Sequence, residues 1–338
     1  MATIKKINGA CRDNIIAVNG IAKASMGNRD GLLLLTPLWS GAGRDGYVMW
    51  SSDGISWNEY ISTDSGSPDY WDIAFGKDGS NNPRWFISTN ASAELRYSAD
   101  PPGGDETWSS IDLPGTADKV RTVEYGVNGT WITASKNDNV FRSTDGGDTW
   151  TEITAVAAAA GTLLCLATDG AGTWLAGGTS KVLKSYDDGL NWYVSLAGTG
   201  QTNGVEYNNG VWFVASKGST SYRATTIVQS DTTDTWAAVT GISESIWAIC
   251  HITGDTWMTA NMSNTPYLST DNCASWSGVT SPSSGQIMGL ASDGTTIVVA
   301  GKDSKIHTST DNGATWTLRF TSSSADVLVV DYNKVKPY

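Results

Sequence analysis

Cysteine, histidine and positive charge are all scarce in this chain, and each shortage removes a class of chemistry. The four cysteines, Cys11, Cys165, Cys250 and Cys273, are too widely spaced for a zinc-type or redox motif. Cys165 and Cys250 fall in apolar runs, where a small buried thiol is the expected role. With two histidines, His251 and His307, the chain offers no Ser–His–Asp or zinc constellation, and no cofactor motif is found. Lys and Arg number 22 against 34 Asp and Glu, a net charge of −12. Such a chain is a poor partner for a nucleic-acid backbone or an anionic membrane. Long apolar runs are missing as well. "GLLLLTPL" (Gly31–Leu38) is too short to cross a bilayer. The N-terminus has two lysines but no continuous apolar stretch, so neither a signal peptide nor membrane insertion is expected. Sustained helical periodicity is also lacking, the one helix-like run being Ala155–Gly161.

What the chain does have is a recurring phrase, "STDGGDTW" (Ser143–Trp150) and its variants. Seven copies end at Trp57, Trp108, Trp150, Trp192, Trp236, Trp276 and Trp316, spaced 51, 42, 42, 44, 40 and 40 residues apart. Each carries an acid near its start: Asp53, Asp100, Asp145, Asp187, Asp231, Asp271 and Asp311. Around each phrase lie four short apolar or alternating runs broken by Gly, Asn, Asp and Ser, a strand-and-turn pattern. Named A to D, the strands are typified by "VEY", "TWITAS", "NVFRST" and "TWTEI", with the phrase as the C–D turn. Four-stranded units of about 40–50 residues are the blades of β-propellers, so a seven-bladed all-β ring over residues 31–338 is expected.

The phrase resembles the Asp-box, or BNR, repeat of sialidases, some glucanases, sortilin-type receptors and photosystem assembly factors. The likeness implies a propeller and is weakly specific for function. The seven aspartates and seven tryptophans read as structural: the acid accepts turn N–H groups, Gly147 permits positive φ, and the indole covers the hairpin. The fifth copy lacks the glycines, and the sixth has Cys273 in their place.

Val330-Asp331-Tyr332 copies the A-strand triplets Val123-Glu124-Tyr125 and Val205-Glu206-Tyr207 after the seventh D strand. The C-terminus is therefore expected to become the inner strand of blade 1, whose B, C and D strands come from 31–62. Gly31–Leu38 aligns with its B strand, and Ile15–Gly20 is the weaker alternative for the inner strand. Residues 1–30 fall outside the repeat as an N-terminal arm. Its "KKING" and "AVNGIAKAS" resemble short elements that open some tailed-phage virion proteins. That resemblance implies docking to other virion proteins; an extra strand on the ring is the plainer alternative.

Sialidases need three clamping arginines and a Tyr–Glu pair, and the nine arginines here occupy unlike repeat positions. Glu124, Glu206 and Asp331 share one inner-strand position, either as solvated channel acids or as a converging acid–base or cation site. The face carrying the D–A and B–C loops is the binding face by family analogy. Arg44, Lys136, Lys181, Lys217 and Lys302 recur in the B–C loops. Trp39 falls in the first B–C loop, Trp71 and Trp247 open A strands, and Tyr222 with Arg223 sits in a long loop. Exposed aromatics there suit stacking on sugars. The reading is a non-catalytic virion-associated adhesion or assembly propeller with a possible surface-glycan ligand. An assembly-factor-type scaffold and a glycoside hydrolase are the alternatives.

Overall fold

Strands form where the repeat sets β-branched and aromatic residues between turn formers. The computed structural model describes residues 39–61, 68–90, 93–99, 108–115, 118–126, 128–154, 161–218, 220–242, 244–282, 285–322 and 326–332. The N-terminal arm, Gly31–Leu38, Asp100 and most of Ala155–Gly161 lie outside them.

Blade 1 contributes β1 (Trp39–Gly43), β2 (Tyr47–Ser51) and β3 (Asn58–Ile61). Blade 2 has β4 (Tyr70–Lys77), β5 (Pro83–Thr89), β6 (Glu94–Ser98) and β7 (Ser109–Asp112). Blade 3 has β8 (Val120–Tyr125), β9 (Trp131–Ser135), β10 (Val140–Ser143) and β11 (Thr151–Ile153). Blade 4 has β12 (Leu163–Thr168), β13 (Trp174–Gly178), β14 (Lys181–Ser185) and β15 (Tyr193–Ala197). Blade 5 has β16 (Gln201–Asn208), β17 (Val211–Lys217), β18 (Tyr222–Ala224) and β19 (Ala237–Ala238). Blade 6 has β20 (Ile246–Thr253), β21 (Thr256–Asn261), β22 (Tyr267–Ser269) and β23 (Ser277–Gly278). Blade 7 has β24 (Ile287–Ser292), β25 (Ile297–Gly301), β26 (Lys305–Ser309) and β27 (Thr317–Thr321), and β28 (Val327–Tyr332) follows.

Each blade is a four-stranded antiparallel sheet, and the first has the order β28-β1-β2-β3. The C-terminal strand thus closes the ring, with Tyr332 opposite Trp39 and Val330 opposite Gly41. Ile15–Gly20, the other candidate for that strand, lies outside the described residues. Inner strands pack on their neighbours all the way round, β24 on β28 and β28 on β4 included. Closure covers blade faces that would otherwise meet water. The core lies between blades: Phe86 of blade 2 is sealed by Trp131, Phe141 and Trp150 of blade 3. Its ring meets Trp131 edge-on at 4.8 Å and Trp150 at 5.7 Å.

The C–D turns repeat one hydrogen-bond pattern. In blade 3, Ser143 Oγ donates to Asp145 Oδ1 at 2.7 Å and accepts from Gly147 N–H at 2.8 Å. Asp145 also accepts from Thr149 N–H at 3.0 Å and Thr149 Oγ1 at 2.6 Å, while Trp150 Nε1 donates to Gly147 O at 3.1 Å. Ser185/Asp187 and Ser309/Asp311 reproduce the Ser–Asp–backbone part of it. Ser51/Asp53 and Ser269/Asp271 do so as well. Trp316 instead donates to Thr280 O at 2.8 Å.

Three sequence expectations are corrected. Trp39 is in strand β1 and not in a B–C loop: it pairs with Ser51 as Trp131 pairs with Ser143, and it is 2% exposed. Among the described residues the B strand of blade 1 is Trp39–Gly43, and Gly31–Leu38 lies outside them. Tyr222 and Arg223 lie on strand β18, opposite Val214 and Phe213, with Tyr222 packed against the core between blades 4 and 5. In blade 5 the turn is organised by Asp234, and Asp231 is exposed. Asp234 accepts from Val228 N–H at 2.7 Å, Ser195 Oγ at 2.6 Å and the fully buried Lys184 Nζ at 3.0 Å. Lys184 also donates to Val228 O and Thr232 O, so all three of its N–H groups are used. A cation at this C-strand position recurs: Arg142 of blade 3 donates to Asp188 O at 2.6 Å and Asp188 Oδ2 at 2.9 Å in blade 4. Arg223 stands beside Cys273 of blade 6. Each such cation reaches toward the box turn of the next blade.

Candidate functional site on the D–A and B–C face

Every inner strand carries a bulge at a shared place. Near the start of each inner strand the register breaks around Leu328, Trp71, Arg121, Leu164, Asn203, Trp247 or Met288, and β20 breaks a second time around Ile252. A bulge leaves one residue unpaired and re-aims its side chain. The first seven sit at the start of the A strands, beside the B–C turns. Lys136 N–H, for instance, donates to Lys119 O just before β8, and Lys302 N–H donates to Gln286 O just before β24.

The seven bulged residues differ in chemistry, and polar donors gather in three of them. The Arg121 guanidinium stacks on the Trp71 ring at 4.3 Å, joining blades 2 and 3. Lys217 Nζ lies over the Trp247 ring at 5.7 Å, joining blades 5 and 6. Trp71 Nε1, Arg121 Nε and Trp247 Nε1 are buried donors with no hydrogen-bond partner among the described residues. Leaving such a donor unpaired costs about 1–3 kcal/mol. Burial pulls the Arg121 pKa below the ordinary guanidinium value, against the opposing charges of Asp118 and Asp69. Asn203 is spoken for: its Nδ2 donates to Ile246 O at 2.9 Å and its Oδ1 accepts from Gln201.

Four of the five expected B–C cations share one register position, the residue after the B-strand segment paired to the start of strand A. They are Arg44, Lys136, Lys217 and Lys302, and Asn90 and Met262 fill that place in blades 2 and 6. Lys136, Lys217 and Lys302 are exposed, and Arg44 lies 3.6 Å from Asp326. Lys181 opens strand β14, two residues past Thr179, which holds the equivalent place in blade 4.

Glu124, Glu206 and Asp331 do occupy one register position, opposite Ile132, Phe213 and Ser40, and Ala74, Ala167, Cys250 and Ala291 fill it elsewhere. They come from blades 3, 5 and 1, never from adjacent blades. Among the described residues no group of three or more His, Cys, Asp or Glu is placed to hold a metal ion, so a converged cation site is not formed. The buried acid that stands out is Asp72, which the sequence reading passed over. It keeps some exposed surface, but its carboxyl group is enclosed by protein. Burial pushes its pKa up to about 7, against donation from Thr122 Oγ1 at 2.8 Å and Val123 N–H at 3.1 Å. No sequence signal marks it, because the residue facing it is supplied by the next blade.

No helix among the described residues is long and apolar enough to cross a membrane. No family model and no curated protein sequence matches the chain. Solved structures do match its fold. One is YCF48 bound to D1 peptide, with a TM-score of 0.57 at 19% identity over 74% of this chain and 82% of that one. Another is YCF48 from Cyanidioschyzon merolae, with a TM-score of 0.56 at 18% identity over 74% of this chain and 84% of that one. At these identities the likeness is one of fold: a propeller shared with proteins of that name.

Proposed function

We propose that this chain is a non-catalytic binding propeller, a scaffold of the assembly-factor type that holds a segment of a partner protein on its D–A and B–C face. The observation that carries the reading is the set of unpartnered buried donors, Trp71 Nε1, Arg121 Nε and Trp247 Nε1, all on bulged inner-strand residues. Donors without acceptors suit a ligand rich in acceptors, and a polypeptide backbone presents a carbonyl every residue. The peptide in the complex of one fold neighbour supports the same choice of ligand class.

The sugar-stacking expectation loses residues it relied on, since Trp39 is buried and Tyr222 packs within the ring. Docking to a virion through residues 1–30 rests on the arm's sequence alone and draws nothing from the ring. A random array of 15-residue peptides probed with the full chain tests the proposal. Selected peptides should bind Trp71→Phe at least tenfold more weakly, because an aromatic ring remains at the bulge while the pyrrole half of the indole and its N–H are lost. Equal binding by Trp71→Phe, Arg121→Gln and Trp247→Phe would refute it. Turnover of chromogenic glycosides would revive the hydrolase alternative.

A further inference from the structure

The junction of blades 2 and 3 holds an orphaned acceptor beside the orphaned donors. Trp71 sits at the bulge of β4, between the pairs Tyr70–Thr89 and Asp72–Ser88. Asn90 follows Thr89, and its N–H donates to Asp69 O at 2.9 Å, which sets Asn90 at the entry to that bulge. Its Oδ1 is buried and, among the described residues, accepts no hydrogen bond. From blade 3 the Arg121 guanidinium covers the Trp71 ring, with its Nε likewise unmatched. Asp69 joins the two sides, since its charge also acts on Arg121. Asp72, next along β4, ties the bulges to each other. Its Oδ2 accepts from Thr122 Oγ1 at 2.8 Å and Val123 N–H at 3.1 Å, on the two residues that follow Arg121. The cluster is thus held from both strands before anything binds, which lowers the cost of ordering it.

Charge and donor count decide which group fits. Arg121 already feels the carboxylates of Asp118 and Asp69, and Lys119, next to Asp118, at most cancels that excess. The place therefore has no surplus positive charge for a third carboxylate, and burying one there is costly. A carboxylate would also set two acceptors face to face at Asn90 Oδ1. A backbone amide answers only half of the cluster, because the C=O and N–H of a trans peptide point to opposite sides. A primary carboxamide is neutral and carries its acceptor and its donors together at one tip. We infer that Trp71, Arg121 and Asn90 form a carboxamide subsite that holds an Asn or Gln side chain of the docked segment. The amide oxygen accepts from Trp71 Nε1 and Arg121 Nε, and the amide nitrogen donates to Asn90 Oδ1. The inference rests on the peptide-docking reading and names the side chain selected at this place.

The test uses the full chain labelled with nitrogen-15 at pH 7, with the Trp71 indole N–H assigned by loss of its signal in Trp71→Phe. The probes are acetyl-Gly-Gln-Gly-N-methylamide and its Glu and Gly counterparts, whose caps carry no primary amide. The glutamine probe should move the Trp71 indole and Arg121 Nε–H signals downfield in a saturable way, at roughly tenfold lower concentration than the other two, since each of those leaves a buried polar atom unmatched. Asn90→Ala should close the gap between glutamine and glutamate, with Tm as the check on folding. Asn90→Asp, which keeps an acceptor at that place, should retain it. A glutamate probe that binds as well as glutamine, or a preference that survives Asn90→Ala, would overturn the subsite while the docking reading stands. Silence from all three probes would overturn it too, and array peptides that still shift Trp71 would then uphold docking alone. Array peptides that bind and move neither signal would bring down both.

Discussion

Gly147 and Cys273 hold the same position in two box turns, and exchanging their characters tests the packing logic of the ring. Gly147 has φ +90°, and a Cβ added there would lie 2.5 Å from Cε2 and Cζ of Phe86. Carbon atoms prefer separations near 3.5–4.0 Å. Phe86 is fully buried and its ring is wedged against Trp131 and Trp150, so it cannot retreat as a flexible chain end would. Gly147→Ala therefore combines left-handed backbone strain of about 1–2 kcal/mol with overpacking of about 1–3 kcal/mol, for a loss near 3 kcal/mol. At about 2.1 cal/mol/K per residue over some 300 ordered residues, Tm should fall by about 5 °C. Cys273 already carries a Cβ at φ +67° with its side chain fully buried. Cys273→Gly relieves strain of about 1 kcal/mol and forfeits a comparable burial gain, so its net effect should stay within about 1 kcal/mol of zero. Gly313→Ala, where the added carbon meets the flexible chain end of Met258 at 2.9 Å and Cγ2 of Val279 at 3.0 Å, should fall between the two. Urea unfolding of all three, followed by tryptophan fluorescence, reads the series. A neutral Gly147→Ala, or a Cys273→Gly as damaging as Gly147→Ala, would refute the reasoning.

Further outcomes follow from the buried charges and the boxes. Lys184→Met leaves the Asp234 carboxylate buried without its cation and should cost about 3–5 kcal/mol in urea unfolding. Adding Asp234→Leu should return a large part of that loss, and a fully additive double variant would contradict the pairing. Asp271 and Asp311 are held down at about 2, chiefly by the Ser275 and Thr315 hydroxyls that donate to them. In Asp53, Asp145 and Asp187 burial works upward, and turn hydrogen bonds outweigh it, so these too are lowered. A lowered folded pKa gives stability that is full above about 4 and is lost as pH falls toward 2. Unfolding midpoints should accordingly drop steeply between pH 4 and 2 and change less in Asp311→Asn; an unchanged slope counts against the box account. Asp72 runs the other way: the folded state keeps its proton up to about 7 against 3.8 unfolded, so its contribution to stability declines as pH rises through that window. A carbon-13 titration of its carboxyl should have a midpoint near 7, and a midpoint near 4 would show the hydrogen bonds overriding burial.

Much of the ring was legible because repetition amplifies weak signals. Val330-Asp331-Tyr332 matched two A strands in sequence, and it is the strand that closes blade 1. The shared position of Glu124, Glu206 and Asp331 came from the same alignment. The misplaced elements have physical causes. Trp39 looked like a loop residue because the apolar Gly31–Leu38 precedes it, whereas the decisive cue was the pairing of Trp39 with Ser51. Asp231 stands where the repeat wants an acid, but Lys184 of the neighbouring blade selects Asp234. Tyr222 and Arg223 looked like loop residues because serines and glycine precede them, yet their pairing with Val214 and Phe213 makes a strand. The bulges were invisible: Trp71, Arg121, Asn203 and Met288 share no residue type, since a bulge is a property of register and not of side chain.

The central claim is that the unpartnered donors of the D–A and B–C face are completed by a polypeptide. Titrating an array-selected peptide into the nitrogen-15-labelled full chain, while following the Trp71 indole N–H and the Arg121 Nε–H, tests it most directly. The account predicts that both signals move downfield together and saturate with the peptide's own Kd. A peptide that binds while both signals stay in place would contradict it.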